Sequence, residues 1–289
     1  MMKIGIFGGS FDPIHRSHIS VIEESLKQLA LDKLLVVPTA NNPWKDSSKA
    51  TNRQRLEMLE IATGRYQKVE ICYYEINQKG DAKNYTIDTI KYLKSKYPDD
   101  QLYFIMGMDQ ASLFHKWKDA DKISELVSLV VFDRIGYQTN SNLKKYNFLK
   151  LDFVATDDAS SDIRNGNLHA LEPEVLKYIV SNGIYLDTII KTRMSAKRYK
   201  HTVSMAKLAK EIAKSNGIDE TKAYVAGMLH DIAKEMEYDK ALQIMQDHYP
   251  AYIDKPVPVW HQWLSEYVAK TEYLVDDKEY EIYDENNKK

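Results

Sequence analysis

The chain has 289 residues, of which 44% are hydrophobic and 28% charged, and its formal net charge at pH 7 is −2. This composition is typical of a globular protein, and the length predicts two domains. The charge balance lacks the basic excess that binding a nucleic-acid backbone requires, so we expect no nucleic acid among the partners.

The single cysteine, Cys72, cannot form an internal disulfide, which fits a reducing compartment. No apolar run approaches the roughly 18 residues that a membrane-spanning helix needs. The apolar segment that follows Met1 is too short for the core of a signal peptide. We therefore expect a cytoplasmic protein without a membrane partner, and the sequence leaves the oligomeric state open.

Short apolar segments alternate with helical patterns over the first half of the chain. This alternation predicts βαβ units and a parallel sheet, whose ligands lie at the carboxyl ends of the strands. The predicted strands are 3–8, 34–37, 69–73, 102–106, 126–132 and 149–154, and the predicted helices between them include 17–30, 51–63 and 86–96.

The pattern changes near residue 190, and from Arg198 onward it is helical without a strand signal. Met205, Leu208 and Ile212 share one helical stripe, and His201 lies on the same stripe one turn earlier. A second predicted helix begins after Gly217, and its stripe consists of Ala223, Ala226, His230 and Ala233. The predicted domains are therefore 1–187, a helical domain over 188–275, and a charged tail over 276–289.

A candidate phosphate site follows the first predicted strand. Gly8, Gly9 and Ser10 stand between a strand and a helix, where glycine lets the backbone approach a phosphate and the helix start offers free N–H donors. His15 and His18 are three residues apart, so they share a helix face and can both point at one polyphosphate. The alternative is a glycine-rich turn with two surface histidines, and the segment matches neither a Walker loop nor a dinucleotide fingerprint.

The full string GGSFDPIHRSH resembles the phosphate-binding signature of the nucleotidyltransferases that carry the T/HxGH motif, with Ser17 where that family has glycine. Further blocks resemble bacterial nicotinate-mononucleotide adenylyltransferases and occur in their order. These blocks are PTANNPWK (38–45), RLEML (55–59), YTIDT (85–89), FIMGMD (104–109) with Trp117, SSDIR (160–164) and LEPEV (171–175). The resemblance covers roughly residues 1–187 and implies a Rossmann-like α/β nucleotidyltransferase domain.

The resemblance implies that the phosphate of nicotinate mononucleotide attacks the α-phosphorus of ATP, that pyrophosphate leaves, and that Mg²⁺ is held largely by ATP and water. It assigns catalytic contacts with the ATP phosphates to His15, His18 and Arg164. Thr86 and Trp117 would bind the nicotinate moiety. The implied ATP and phosphate contacts are Gly8, Gly9, Ser10, Phe11, Lys45, Asp109, Ser160 and Ser161. Two alternatives stay open: Trp117 is a core side chain, and Asp109 is a helix N-cap.

The C-terminal part resembles the HD superfamily of metal-dependent phosphohydrolases. Arg198 to His201, and the segment AGMLHDIAK around His230 and Asp231, are similar to the type that cleaves diadenosine tetraphosphate symmetrically. The resemblance implies that His201, His230, Asp231 and His261 hold a divalent transition metal such as iron.

No histidine follows His261, so we expect the HD-type metal site to be incomplete. The open interpretations are a truncated gene, a domain that binds one metal poorly, a decayed hydrolase, and core histidines in a helical bundle.

Four functions are compatible with these sequence features. The first is adenylyl transfer to nicotinate mononucleotide, and the second is the related transfer to pantetheine phosphate, which the Pro-Trp-Lys loop and Trp117 disfavour. The third is hydrolysis of diadenosine tetraphosphate by the HD-type domain. The fourth is a non-catalytic protein that binds nucleotides.

Overall fold

The computed structural model describes residues 1–40, 48–78 and 83–275. Contacts divide the chain into two compact units, Met1–Ser160 and Ser161–Lys289. Residues 161–187 thus group with the helical part, although the resemblance to adenylyltransferases runs through them. The domain limits expected from the sequence stay predictions, and the tail 276–289 lies outside the described residues.

The first unit is built on six parallel strands in its described residues, which are β1 (Lys3–Gly9), β2 (Lys33–Pro38), β3 (Val69–Ile71), β4 (Gln101–Gly107), β5 (Ser128–Arg134) and β6 (Leu149–Ala155). They form one sheet with the order β3-β2-β1-β4-β5-β6. The strands β2 and β3 lie on one side of β1, and the chain then crosses to the other side, where β4, β5 and β6 follow. The sheet therefore reverses its strand order between β1 and β4, as in Rossmann-like folds, whose ligand crevice lies at such a switch point.

Helices lie between these strands and after the last one. They are α1 (Arg16–Gln28), α2 (Asn52–Thr63), α3 (Thr86–Lys96), α4 (Met108–Leu113), α5 (Ala120–Leu126), α6 (Ser141–Lys145) and α7 (Ser160–Arg164), the last of which crosses the limit between the units. The predicted α/β alternation is confirmed. Residue 126 ends α5 instead of starting a strand.

One apolar cluster joins four neighbouring strands of the sheet to the helices α3, α4 and α5. Ile4 and Ile6 of β1 are fully buried, and Phe104 and Met106 of the adjacent β4 are nearly so. Burial of these side chains fixes the register of β1 against β4, in which Ile6 pairs with Phe104. The two strands therefore end side by side.

The second unit is helical throughout its described residues. Its α-helices after α7 are α8 (Pro173–Ser181), α9 (Leu186–Ile189), α10 (Ala196–Ser215), α11 (Glu220–Leu229), α12 (Tyr238–His248) and α13 (His261–Glu272). The helical character that the sequence predicts for this part is confirmed. No helix among the described residues is long and apolar enough to cross a membrane.

The helices α10 and α11 cross closely at Gly227. A Cβ atom added there would lie 2.5 Å from the Cα of Ala206. The buried face of α10 consists of Thr202, Ala206 and Ala213. The apolar stripe of α10 that the sequence singles out faces outward instead, because close helix packing selects small side chains for the contact; its members Met205, Leu208 and Ile212 are 41%, 52% and 53% exposed.

Candidate functional site

A cavity of about 610 Å³ opens at the carboxyl ends of the strands in the first unit. It lies where the strand order reverses, as the sheet topology requires. The structure brings ten of the site residues expected from the sequence to its walls: Gly8, Gly9, Ser10, Phe11, His15, His18, Thr86, Asp109, Trp117 and Ser160.

The glycines at the end of β1 have different surroundings. A Cβ on Gly8 would meet only the carbonyl oxygen of Val37, at 3.9 Å, among the described atoms within 4 Å. A Cβ on Gly9 would lie 3.0 Å from the ring of Phe11, whose own φ of 46° is in the left-handed region. Gly8 therefore leaves space for a ligand, whereas Gly9 lets the following loop fold back over the strand end.

His15 and His18 are brought together at the start of α1, as their spacing predicts. Their ring centroids are 3.8 Å apart, and His15 is buried while His18 is half-buried. The backbone N–H of His15 donates to Nδ1 of His18 over 3.3 Å. A neutral His18 ring therefore carries its proton on Nε2, which can donate to a phosphate oxygen.

Two charged residues, which the sequence did not assign to the site, fix the loop between β1 and α1 by hydrogen bonds. The Asp12 carboxylate accepts the backbone N–H groups of Lys49, at 2.8 Å, and Ala50, at 3.0 Å. Arg55 is fully buried and donates from Nη1 to the carbonyl oxygen of Ser10 over 2.6 Å. The signal that could have found Arg55 is its place on the helix face that also carries Met58, Leu59 and Ala62. A buried arginine needs a specific partner.

Two serine hydroxyls also fix this loop, one at the start of α1 and one after β6. Ser17, which stands where the resembled family has glycine, is buried and donates from Oγ to the carbonyl oxygen of Thr156 over 3.2 Å. Ser160 donates from Oγ to the carbonyl oxygen of Pro13 over 2.9 Å. Because a hydroxyl has one proton, donation from Ser160 to a phosphate would have to replace this bond.

Thr86 and Trp117 line the same cavity. Thr86 is the first residue of α3, and the Trp117 ring is half-buried in edge contact with Phe104, at 6.0 Å between centroids. The indole also packs against Phe114 at 5.4 Å. The two interpretations of Trp117 are therefore compatible, because one part of the ring packs on the core and the other borders the cavity.

Asp109 is in the first turn of α4, and the N-cap of that helix is Gly107. The alternative interpretation of Asp109 as the N-cap is wrong, because the helix begins one residue before it. Its carboxylate pairs with Arg134 at 3.3 Å and accepts from Gln110 at 3.0 Å. Arg134 lines the cavity as well, and the sequence did not single it out.

Glu75 is a buried carboxyl group in the wall of the cavity. The hydroxyl of Thr89 donates to its Oε1 over 2.6 Å. Burial raises the pKa of Glu75, and the hydroxyls of Thr89 and Thr39 partly offset that effect by hydrogen bonding. The side chain thus connects the end of β2, the segment after β3 and the helix α3.

Three residues that the sequence assigns to the site are not among the described residues that line this cavity. Lys45 lies outside the described residues. Ser161 is exposed, Arg164 is half-buried, and both belong to the second unit. Their roles, like those of the cavity residues, stay predictions.

The second unit brings His201, His230 and Asp231 together. One ligand atom from each lies within 4.8 Å of the others. Asp231 is buried, and its side chain is the common partner of the group. The sequence places His230 and Asp231 inside a helix, but α11 ends at Leu229, so this pair occupies the helix end and the turn after it.

The orientation of these rings suits metal binding. Nδ1 of His230 lies 2.7 Å from the carbonyl oxygen of Gly227, which assigns the ring proton to Nδ1 and leaves Nε2 as a ligand atom. Nε2 of His261 lies 3.5 Å from Oδ1 of Asp231. Burial lowers the pKa of His261, and the nearby ammonium of Lys234 lowers it further. Imidazole nitrogens and one carboxylate therefore form a donor set that fits a divalent transition metal.

Two family comparisons match different parts of the chain. Residues 6–216 match the sequence model of the cytidylyltransferase-like family. Residues 198–279 match that of the HD domain.

Relatives match the chain over nearly its whole length or over about half of it. A Mycoplasma genitalium protein named "probable nicotinate-nucleotide adenylyltransferase/Ap4A hydrolase" is 32% identical over 283 residues, which are 96% of this chain and 79% of that protein. A Nitratiruptor protein named "probable nicotinate-nucleotide adenylyltransferase" is 40% identical over 163 residues, which are 56% of this chain and 88% of that protein.

A solved structure shares the fold of part of the chain. It is that of "Plasmodium falciparum nicotinic acid mononucleotide adenylyltransferase complexed with NaAD", with a TM-score of 0.55 and 20% sequence identity. The match covers 64% of this chain and 98% of that one. At this identity the likeness supports the fold.

Proposed function

Since the chain belongs to the cytidylyltransferase-like family and carries an HD-domain match in its C-terminal part, we propose that it transfers the adenylyl group of ATP to nicotinate mononucleotide. The products are nicotinate adenine dinucleotide and pyrophosphate, and the reaction belongs to NAD biosynthesis. The observation that carries the proposal is the single cavity wall that joins the glycine turn and His18 to Thr86 and Trp117. A cavity with a phosphate-binding end and a flat aromatic end fits a pyridine nucleotide in contact with a second nucleotide.

In the reaction, a phosphate oxygen of nicotinate mononucleotide forms a bond to the α-phosphorus of ATP. The bond from that phosphorus to the bridging oxygen breaks, and pyrophosphate leaves with the electron pair. The attacking phosphate is already anionic, so the protein needs to supply position and charge stabilisation. Nε2–H of His18 donates to the phosphate oxygens on which charge develops, and Gly8 leaves room for them.

The other members of the site act by binding or by support. Trp117 offers a face for the pyridine ring, and Asp109 accepts from ribose hydroxyls while Arg134 holds its carboxylate. Arg55 and Asp12 keep the loop in place. Lys45, Ser161 and Arg164 complete the proposed set on the strength of the resemblance, and Mg²⁺ enters with ATP as part of the substrate.

The test is pyrophosphate release by the full chain from ATP and Mg²⁺, with nicotinate mononucleotide and the nicotinamide form compared. We expect a higher kcat/KM for the acid, because donors that bind a carboxylate form charge-assisted hydrogen bonds that an amide does not match. Equal efficiency on the two substrates would refute the assigned preference. Absence of release with both, in a protein that binds ATP, would favour a nucleotide-binding role without catalysis.

A second candidate function is the hydrolysis of diadenosine tetraphosphate by the helical unit. The convergence of His201, His230 and Asp231 favours it, and the name of the Mycoplasma genitalium relative includes that activity. A bound divalent metal, for which we propose iron, would activate water for attack on phosphorus. We expect weak cleavage with Fe²⁺, Mn²⁺ or Co²⁺, and robust cleavage that is lost in His230→Ala would show that the site is more complete than the sequence predicts.

A further inference from the structure

The carboxylate of Asp231 has a strong partner besides the three histidines. Nη1 of Arg198 donates to Oδ2 of Asp231 over 2.7 Å. The same Oδ2 is the oxygen nearest to Nε2 of His230, at 3.5 Å, and to Nε2 of His201, at 3.9 Å. The other oxygen, Oδ1, faces His261. The arginine therefore contacts the oxygen that lies between the two imidazoles.

Arg198 is held in this position from its other side. Its Nε lies 3.9 Å from Oε1 of Glu235. Glu235 in turn accepts from the backbone N–H and the hydroxyl of Ser195, at 2.6 and 2.7 Å, and these bonds lower its pKa. The Arg198 side chain is 29% exposed, so it has an open side toward which it can rotate.

A metal ion bound by His201, His230 and Oδ2 of Asp231 would lie close to the guanidinium. The metal–oxygen distance of about 2 Å and the 2.7 Å contact of Arg198 Nη1 with the same oxygen place the metal and that nitrogen roughly 5 Å apart at most. Repulsion between a divalent and a monovalent ion at that distance lowers the affinity for the metal by more than about tenfold, even in the dielectric of water. Asp231 supplies a single negative charge, which the two cations would share.

We propose that Arg198 competes with the divalent metal for Asp231, so that metal binding requires displacement of the guanidinium from Oδ2. This differs from the common arrangement in which an outer residue orients a ligating carboxylate and strengthens metal binding. Such an orienting donor leaves the ligand oxygen to the metal, whereas Arg198 bonds the oxygen that faces His201 and His230. The two arrangements predict opposite effects of removing the arginine.

The experiment measures Mn²⁺ affinity of the full chain without nucleotide, by calorimetry and by the electron paramagnetic resonance of free Mn²⁺. We expect Arg198→Gln and Arg198→Met to bind Mn²⁺ about tenfold more tightly than the unchanged protein, or more. Lys197→Gln removes the same charge from an exposed neighbour on α10 and is expected to change the affinity by less than about threefold. His230→Ala identifies the site, because binding there is lost in that variant.

Circular dichroism checks that each variant is folded, and the two replacements of Arg198 guard against the failure of either one. Weaker Mn²⁺ binding in the folded Arg198 variants would overturn the proposal and make Arg198 an orienting residue. Unchanged affinity would overturn it as well, because the ion pair would then have no influence on the metal.

Discussion

The proposed role of His18 in adenylyl transfer depends on one atom, its Nε2. The backbone N–H of His15 donates to its Nδ1, so a neutral ring carries its proton on Nε2, the atom that we propose donates to phosphate. We expect His18→Ala to lower kcat by about 10²–10³, which is the usual cost of removing one donor that stabilises developing charge. The measurement is pyrophosphate release at saturating substrates.

His115→Ala is the matched control for that prediction. His115 is exposed and is not part of the cavity wall, so its loss should leave kcat within about twofold. Near-normal turnover in a folded His18→Ala protein would rule out the phosphate contact.

We expect the stability of the protein to depend on pH because the carboxyl group of Glu75 is buried. Burial raises the folded-state pKa of Glu75 above its ordinary value of 4.5, so the folded protein binds this proton more tightly than the unfolded chain. Its contribution to the unfolding free energy is therefore fully present below about pH 4.5 and is lost as pH rises through the raised pKa. In Glu75→Gln this loss is absent, so the variant should gain stability relative to the unchanged protein between pH 5 and 8.

Chemical denaturation across that pH range measures the difference for Glu75→Gln. Glu125→Gln, a change at an exposed carboxylate, corrects for the loss of one charge. A constant difference between the Glu75→Gln variant and the unchanged protein at all pH values would mean that Glu75 is not the buried carboxyl responsible.

At the level of elements, the crossing of α10 and α11 depends on Gly227. Any side chain there meets the backbone of Ala206, with 2.5 Å to its Cα, so the helices would have to separate. We expect Gly227→Leu to lower the unfolding free energy of the helical unit by about 1–3 kcal/mol through overpacking. The gain in helix propensity, about 1 kcal/mol, offsets part of that loss.

Thermal and denaturant unfolding measure the effect of Gly227→Leu. Ala226→Leu adds a larger side chain at the adjacent exposed position of α11 and should change the stability by less than about 0.5 kcal/mol. Similar stabilities of the two variants would contradict the close crossing. Gly227→Leu should also weaken metal binding, because the Gly227 carbonyl orients His230.

For the whole molecule, the grouping of residues 161–187 with the helical unit decides what a shortened chain does. A chain that ends at Asp187 keeps α8 but lacks α11, which packs against α8 and α9. We expect this chain to retain adenylyl transfer, because it contains every block that resembles the transferase. We also expect a lower Tm than that of the full chain, because apolar side chains of α8 lose their cover.

A chain that ends at Val275 is the control for this truncation, since it keeps all described helices and should melt like the full chain. Transfer by the two shortened proteins and their melting curves are measured together. A folded chain ending at Asp187 that transfers nothing would show that the helices beyond it take part in the first reaction.

The sequence by itself determined the local features of this protein. Alternating apolar segments and helical patterns predicted the α/β part and the helical part. The strand-glycine-helix pattern with His15 and His18 located one end of the cavity, for which we propose phosphate binding. The short blocks around Thr86, Asp109 and Trp117 indicated the family. These signals are readable because each depends on residues close together in the chain.

Only the tertiary structure decided which distant residues meet. Pairing of β1 with β4 brings Asp109 to the same cavity as His18, and strand order depends on crossover connections that no local pattern encodes. Buried Arg55 became a loop anchor because the carbonyl of Ser10 faces it. Arg198 became a competitor for Asp231 by the same kind of long-range contact. Hydrogen bonds and ion pairs of this kind depend on positions in space, which a one-dimensional pattern does not specify.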